Sequence, residues 1–283
     1  MNKIAVIYHL NCPDGFGAAW VAWKRFGKKA DYFGVPPRGL PEESLDNYSE
    51  IYVLDNSFTA EVSRTLIAAG KKIIVIDHHA SSEEDIKRAS EFVFDTKHSG
   101  VVLTWKYFYP KQKTPWLLKY IEDGDLWSLA LPKADAIRAY LGMIDLDFNN
   151  FSKLVKKFET TAGRAEAAKE GCIIYNYREA LVKAIAKSAY HVEFMGHTVL
   201  AVNSSSLVSD VGGYLAEIHP PFAIVWSEHG THRRYSLRSQ GEVDVSKLAS
   251  QFGKGGGHPN AAGFSLPSSE PFPWKLVKHH KHD

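Results

Sequence analysis

Apolar residues in the first half of the chain fall into short unbroken runs separated by stretches with helical spacing. The runs at residues 4–8 (IAVIY), 51–54 (IYVL) and 73–76 (IIVI) are rich in β-branched residues and flanked by polar ones, so each reads as a strand. Residues 15–27 (GFGAAWVAWKRFG), 60–70 (AEVSRTLIAAG), 99–109 (SGVVLTWKYFY) and 115–127 (PWLLKYIEDGDLW) carry the three-to-four spacing of helices. Uniformly apolar strands alternating with helices predict a mostly parallel sheet with helices on both faces. From 148 to 190 strong helix formers continue without a proline, predicting one or two helices. Shorter strand-like runs at 197–204, 221–228 and 233–239 then alternate with helical stretches at 209–219 and 244–252. The expected organisation is an α/β parallel-sheet domain at 1–150, a helical linker at 151–190 and a smaller α/β domain at 191–283.

Composition narrows the class. A chain of 283 residues, 45% hydrophobic, exceeds what one core usually serves, in keeping with two domains. The formal charge of +2 implies no strong overall field for nucleic acid, though a local basic groove is compatible with it. Two cysteines, Cys12 and Cys172, form no disulfide framework and suit a reducing cytoplasm. The amino terminus is too short in apolar residues for a signal segment, and no run approaches the ~20 residues needed to span a bilayer. A cytoplasmic, unanchored protein is expected.

The chemistry gathers at the strand ends. In an open parallel sheet ligands collect outside the carboxyl ends of the strands. The first strand ends at His9, followed by Asn11, Cys12 and Asp14; the second ends at Asp55; the third runs from Ile76 directly into Asp77, His78 and His79. Asp123 and Asp125 follow at the end of a helical stretch. Taken singly, such a residue is more often a helix cap or a satisfied strand terminus. Three successive strands delivering acids and imidazoles to one edge point instead to a divalent cation of the Mn²⁺ or Mg²⁺ type. A carboxylate can bridge two such ions about 3.5–4 Å apart, the arrangement that splits phosphate esters.

Together these residues resemble the four motifs of the DHH phosphoesterase superfamily: YHLNCPDG (8–15), Asp55, DHH (77–79) and IEDGDLW (121–127). Downstream, GKGGGHPNAAGF (253–264), preceded by YSLRS (235–239), is similar to the glycine-rich signature of the small domain in its RecJ-like, nanoRNase and exopolyphosphatase-like branch. The resemblance implies that His9 and Asp14 ligate one metal ion, Asp55 bridges both, and His78 ligates the other. Asp77 would orient His78, and His79 would face the phosphate. The fourth-motif acid is Asp123 or Asp125, with Asp123 favoured because the apolar pattern runs directly into it. Phe16 stands where many members have a further acid, and the spacing from His9 to Asp14 is one residue longer than usual. One ion would then be weak, or completed by water, Asn11 or Cys12. The implied cofactor is a pair of Mn²⁺ ions, with Mg²⁺ or Co²⁺ as substitutes. Backbone N–H groups of Gly255, Gly256 and Gly257, with Arg238, His258 and Asn260, would grip a phosphate or terminal ribose.

The implied activity is hydrolysis of short oligoribonucleotides or linear dinucleotides to mononucleotides, as a 3′–5′ exonuclease. Polyphosphate or phosphoanhydride hydrolysis, and a catalytically weak single-strand-binding relative, stay open as alternatives, and a homodimer is one open arrangement. The aromatic stretch at 105–110 reads first as a helix face. Trp127 is the better base-stacking candidate, with core packing as its bland alternative. THRRY (231–235) suits either a phosphate backbone or an exposed strand, and HHKHD (279–283) a tail that binds metal only adventitiously.

Overall fold

The computed structural model describes residues 3–253 and 255–277; the HHKHD tail lies outside them. The chain divides into two compact units, Met1–Tyr175 and Asn176–Asp283. In the first, β1 (Ile4–His9), α1 (Pro13–Phe26), β2 (Ala30–Val35), β3 (Glu50–Leu54), α2 (Ala60–Ala68), β4 (Lys72–Asp77), α3 (Glu83–Ile86) and β5 (Glu91–Phe94) build the sheet and its first helices. Then follow α4 (Gly100–Phe108), α5 (Trp116–Asp125), α6 (Ala134–Leu141), α7 (Phe148–Phe158) and the long α8 (Thr161–Ala186). All pairings among the five strands are parallel, in the order β2-β1-β3-β4-β5.

The uninterrupted apolar strands are explained by burial on both faces. Val6, Leu54, Ile74 and Ile76 pack into a core with helices α1 and α4 to α7, whereas Ala5, Ile7, Ile51, Val53, Ile73 and Val75 face a second cluster with Phe58 and Ile86. Because β1 lies between β2 and β3, the strand order reverses beside β1, and the neighbouring ends of β1, β3 and β4 form one edge.

One expectation needs correction. The segment expected as a linker from 151 to 190 is not free: Phe151, Leu154 and Phe158 of α7 and Ala167 of α8 are buried in the first unit's core. The division falls near residue 175, inside α8, whose later residue Val182 packs into the second unit. Phe16, standing where related chains have a further acid, is a core residue of the first helix. It is buried on α1, its ring 5.2 Å from Phe148, 5.7 Å from Phe151 and 6.0 Å from Tyr8.

The second unit holds β6 (Tyr190–Phe194), β7 (His197–Asn203), α9 (Val208–Ile218), β8 (Phe222–His229), β9 (His232–Ser239), α10 (Val245–Ala249), β10 (Gly256–His258), β11 (Ala261–Pro267) and β12 (Lys275–Leu276). Its strands run β10-β11-β9-β8-β7-β6-β12, with β7 and β8 parallel and the other pairs antiparallel. Val211 and Leu215 of α9 pack on one face against Leu200, Val202 and Val225; Val245 and Ala249 of α10 join Ile224 and Leu237 on the other. No helix among the described residues is long and apolar enough to cross a membrane.

The packing of Phe16 makes a direct prediction. Phe16→Asp places a carboxylate among three aromatic rings and should cost at least the ~3 kcal/mol of a buried Phe→Ala change. A drop in melting temperature of roughly 10 °C is expected by calorimetry; an unchanged value would mean that position 16 reaches solvent.

Candidate functional site

The turn after β1 places the first acid. Asn11 adopts a left-handed φ of 59°, α1 starts with Pro13 at its first position, and Gly15 passes so close to β1 that a Cβ there would lie 2.3 Å from the His9 carbonyl oxygen. This start buries Asp14, whose Oδ2 accepts the N–H of Gly100 at 2.7 Å and whose Oδ1 accepts that of Val101 at 3.1 Å. Both donors belong to the first turn of α4, where free amides and the helix dipole favour an anion. Burial, and the nearby Asp55 and Asp125, nevertheless push the Asp14 carboxyl well above the usual carboxylate range.

Asp55 follows β3 with a φ of 51°, a strained conformation for a residue with a side chain. Its carboxylate is 1% exposed, and neither oxygen accepts a hydrogen bond among the described residues. His9 Nδ1 lies 3.3 Å from Oδ2 and His78 Nε2 lies 3.2 Å from Oδ1, both outside hydrogen-bond alignment. Burial would raise this carboxyl, but the imidazoles of His78 and His9 outweigh it and hold the group down at about 2. Gly100 allows the approach, since a Cβ there would come within 2.6 Å of Asp55 Cβ and 2.9 Å of Asp14 Oδ2.

His78 also faces Asp125, with Nε2 3.4 Å from Oδ2, and has Asp14 Oδ2 at 3.9 Å. Burial works against its charged form, but Asp55 and Asp125 prevail and raise the His78 pKa. Asp125, at the end of α5, is itself raised, chiefly by burial. Asp77 serves a different partner from the one expected. Its Oδ1 lies 2.6 Å from His79 Nδ1 and accepts the backbone N–H of His78 at 2.7 Å, so its side chain orients His79 rather than the His78 ring. That pairing raises the His79 imidazole to about 9.

Of the two fourth-motif acids, only Asp125 joins the cluster. Asp123 directs its carboxylate at the backbone, accepting N–H groups of Ala130 at 2.9 Å and Leu131 at 3.1 Å. Three overlapping donor groups result: His9, Cys12 and Asp55; Asp14, His78 and Asp125; and Asp55, Asp77, His78 and His79, each with ligand atoms within 4.8 Å of one another. Any of them could hold a divalent cation. The donor set fits one, because buried carboxylate oxygens without a hydrogen bond, both of Asp55 and Oδ2 of Asp77, are groups a cation would satisfy. Cys12 is the poor donor, since burial pushes its thiol up to about 12. Asn11 lies exposed on its turn.

Arg238 and His258 share a face of the second unit's sheet, since both register with Ala261 on the strand between them. Arg238 donates to Ser209 Oγ and to the Leu237 carbonyl, both at 2.9 Å. The glycines have packing reasons of their own. A Cβ on Gly255 would lie 2.1 Å from the Ala249 carbonyl oxygen, Gly257 has a φ of 145° with Ala261 O 2.5 Å from its missing Cβ, and only Gly256 of the three has open space. Asn260 turns the β10–β11 hairpin, its carbonyl accepting the Ser239 N–H at 3.0 Å.

Sequence reasoning missed Gly100. A glycine directly before the apolar helix VVLTW, at the amino end of a helix rather than past its carboxyl end, was the available signal.

The chain is similar to several known proteins. Residues 188–274 match the DHHA1 domain. An uncharacterized protein of Acanthamoeba polyphaga mimivirus, R106, is 30% identical over 92% of this chain and 67% of its own length. The RecJ of Thermus thermophilus, solved in complex with Mn²⁺, superposes with a TM-score of 0.53 at 16% identity, covering 93% of this chain and 49% of that one. An exopolyphosphatase-related protein from Bacteroides fragilis gives 0.45 at 15% identity, over 93% of this chain and 86% of that one. Residues 188–274 thus carry a DHHA1 domain, and the fold of the chain is that of the RecJ structure.

The protonation pattern predicts a pH dependence for the metal-free protein. The folded His79 value of about 9 exceeds the 6.5 of a free imidazole, so its pairing contributes stability that is full below pH 6.5 and lost as pH rises through about 9. Melting temperature should therefore fall between pH 6.5 and 9.5, by a modest amount for so exposed a ring, and by less in Asp77→Asn. A flat or rising profile would contradict the pairing.

Proposed function

We propose that the protein is a two-metal phosphodiesterase that hydrolyses very short oligoribonucleotides or linear dinucleotides to mononucleotides, working from the 3′ end. The observation that carries this reading is Asp55: a buried carboxylate with both oxygens free of hydrogen bonds, His9 beside one and His78 beside the other. That is the arrangement of a carboxylate shared between two cations. His9 with Asp55 would hold one ion; His78, Asp14 and Asp125 with Asp55 would hold the other. Two Mn²⁺ ions there would supply an ionised water at neutral pH and neutralise charge developing on the phosphate. His79, kept protonated by Asp77, would donate to a non-bridging phosphate oxygen. The amides of α4 hold Asp14 in place throughout. In the second unit Arg238 and His258, on one sheet face, would bind the terminal phosphate or ribose.

The two ions should differ in affinity. The His9 side offers one imidazole and one shared carboxylate, with a protonated thiol as its third group, whereas the His78 side adds two further acids.

Three results test the reading. With Mn²⁺ present, the protein should cleave labelled dinucleotides faster than long RNA, single-stranded DNA or polyphosphate; preferential release of phosphate from polyphosphate would favour a phosphoanhydride hydrolase instead. Asp55→Asn should lower turnover by at least ~10³-fold while the protein still folds, and near-normal turnover would remove Asp55 from the site. In calorimetric titrations Asp125→Asn should weaken Mn²⁺ binding at least tenfold, while Asp123→Asn should lower thermal stability and leave binding nearly unchanged. The opposite pattern would reverse their roles.

A further inference from the structure

A cavity of about 220 Å³ adjoins the acidic cluster, its wall including Asp14 and Asp125 together with Tyr120, Leu141, Trp127 and Arg138. Trp127 is the unusual member. Its side chain is among the most exposed large apolar groups of the described chain, at 69%, and its backbone holds a left-handed φ of 53°, a strained conformation for a bulky residue. The Arg138 guanidinium lies over the indole, 4.8 Å from the ring centroid. Nor is the loop loosely held. Asp123 ties it down with its carbonyl oxygen, which accepts the N–H groups of Ser128 and Leu129, and with its carboxylate, which accepts those of Ala130 and Leu131. A buried acid thus fixes a strained loop whose product is an aromatic face open to solvent beside the reacting groups.

We propose that this cavity is a nucleobase subsite, in which the Trp127 indole, backed by Arg138, stacks on the base of the nucleotide whose phosphodiester lies at the acidic cluster. The inference rests on the phosphodiesterase reading above and names the part of the substrate that the first unit recognises. An aromatic face suits a base because every base presents a π-face, so stacking gives grip without sequence preference, and the guanidinium adds a cation to the stack. The mostly apolar wall accepts a flat ring and offers little to a bare phosphate chain. The size fits one ring system, being below that of a pocket for a drug-sized ligand.

The test uses the full chain with Mn²⁺ and two substrates: a linear diadenosine dinucleotide and its abasic counterpart, in which sugar and phosphate remain but the bases are absent. Trp127→Ala should raise KM for the dinucleotide roughly five- to a hundredfold, with a much smaller change for the abasic substrate, and Trp127→Phe should recover most of the loss. Separately, and without turnover, adenosine should quench the tryptophan fluorescence of the wild type saturably, and the Trp127→Phe protein should lose that component. Equal KM losses on both substrates, or unchanged quenching in Trp127→Phe, would overturn the subsite. If the wild type cleaved no diester, the functional reading would fail on its own, and the quenching measurement would still decide whether Trp127 stacks on a base.

Discussion

Two buried carboxylates, Asp14 in the first turn of α1 and Asp55 directly after β3, set the terms for everything around them. Removing such groups from water costs several kcal/mol each unless partners replace the lost hydration. Asp14 finds its partners in the first amides of α4, and this fixes where that helix begins. Gly100 follows from the same demand, because a side chain at that position would occupy the space of both acids. Asp55 has no such donors. It is held ionised by imidazoles that approach without hydrogen-bond alignment, and its oxygens stay available. The first unit therefore carries a concentration of negative charge that its own backbone only half satisfies, which is the physical basis for reading the edge as a cation site.

Much of this was legible in the chain. Parallel strands buried on both faces write themselves as uniform apolar runs, and a run that breaks into Asp77, His78 and His79 marks a strand end with chemistry on it. What the pattern could not settle was orientation. Asp123 and Asp125 lie two residues apart on α5, about 200° around the helix, so only one can face the cluster, and apolar periodicity favoured the wrong one. Phe16 was similarly ambiguous, since the first turn of α1 presents one side to the strand ends and another to the core. The domain boundary left no mark, because it falls inside α8, and a continuous helix needs no glycine or proline where one unit gives way to the next.

The second unit shows how one residue type can have two explanations. The glycine run was expected to approach an anion with its amides. In the fold, Gly255 and Gly257 are required by the chain's own backbone, at Ala249 and Ala261, and only Gly256 has free space. Arg238 and His258 nonetheless share one sheet face by strand register. A phosphate bound there, as proposed, would be held by those two side chains more than by the glycines.

The central claim is that Asp55 is shared by two cations, one on its His9 side and one on its His78 side. Anomalous diffraction at the manganese edge, from crystals grown in excess Mn²⁺, tests it most directly. The account predicts two peaks flanking the Asp55 carboxylate, one next to His9 and the other among His78, Asp14 and Asp125, with the His9 peak the weaker. A single peak that Asp55 does not touch, or none at these residues, would contradict it.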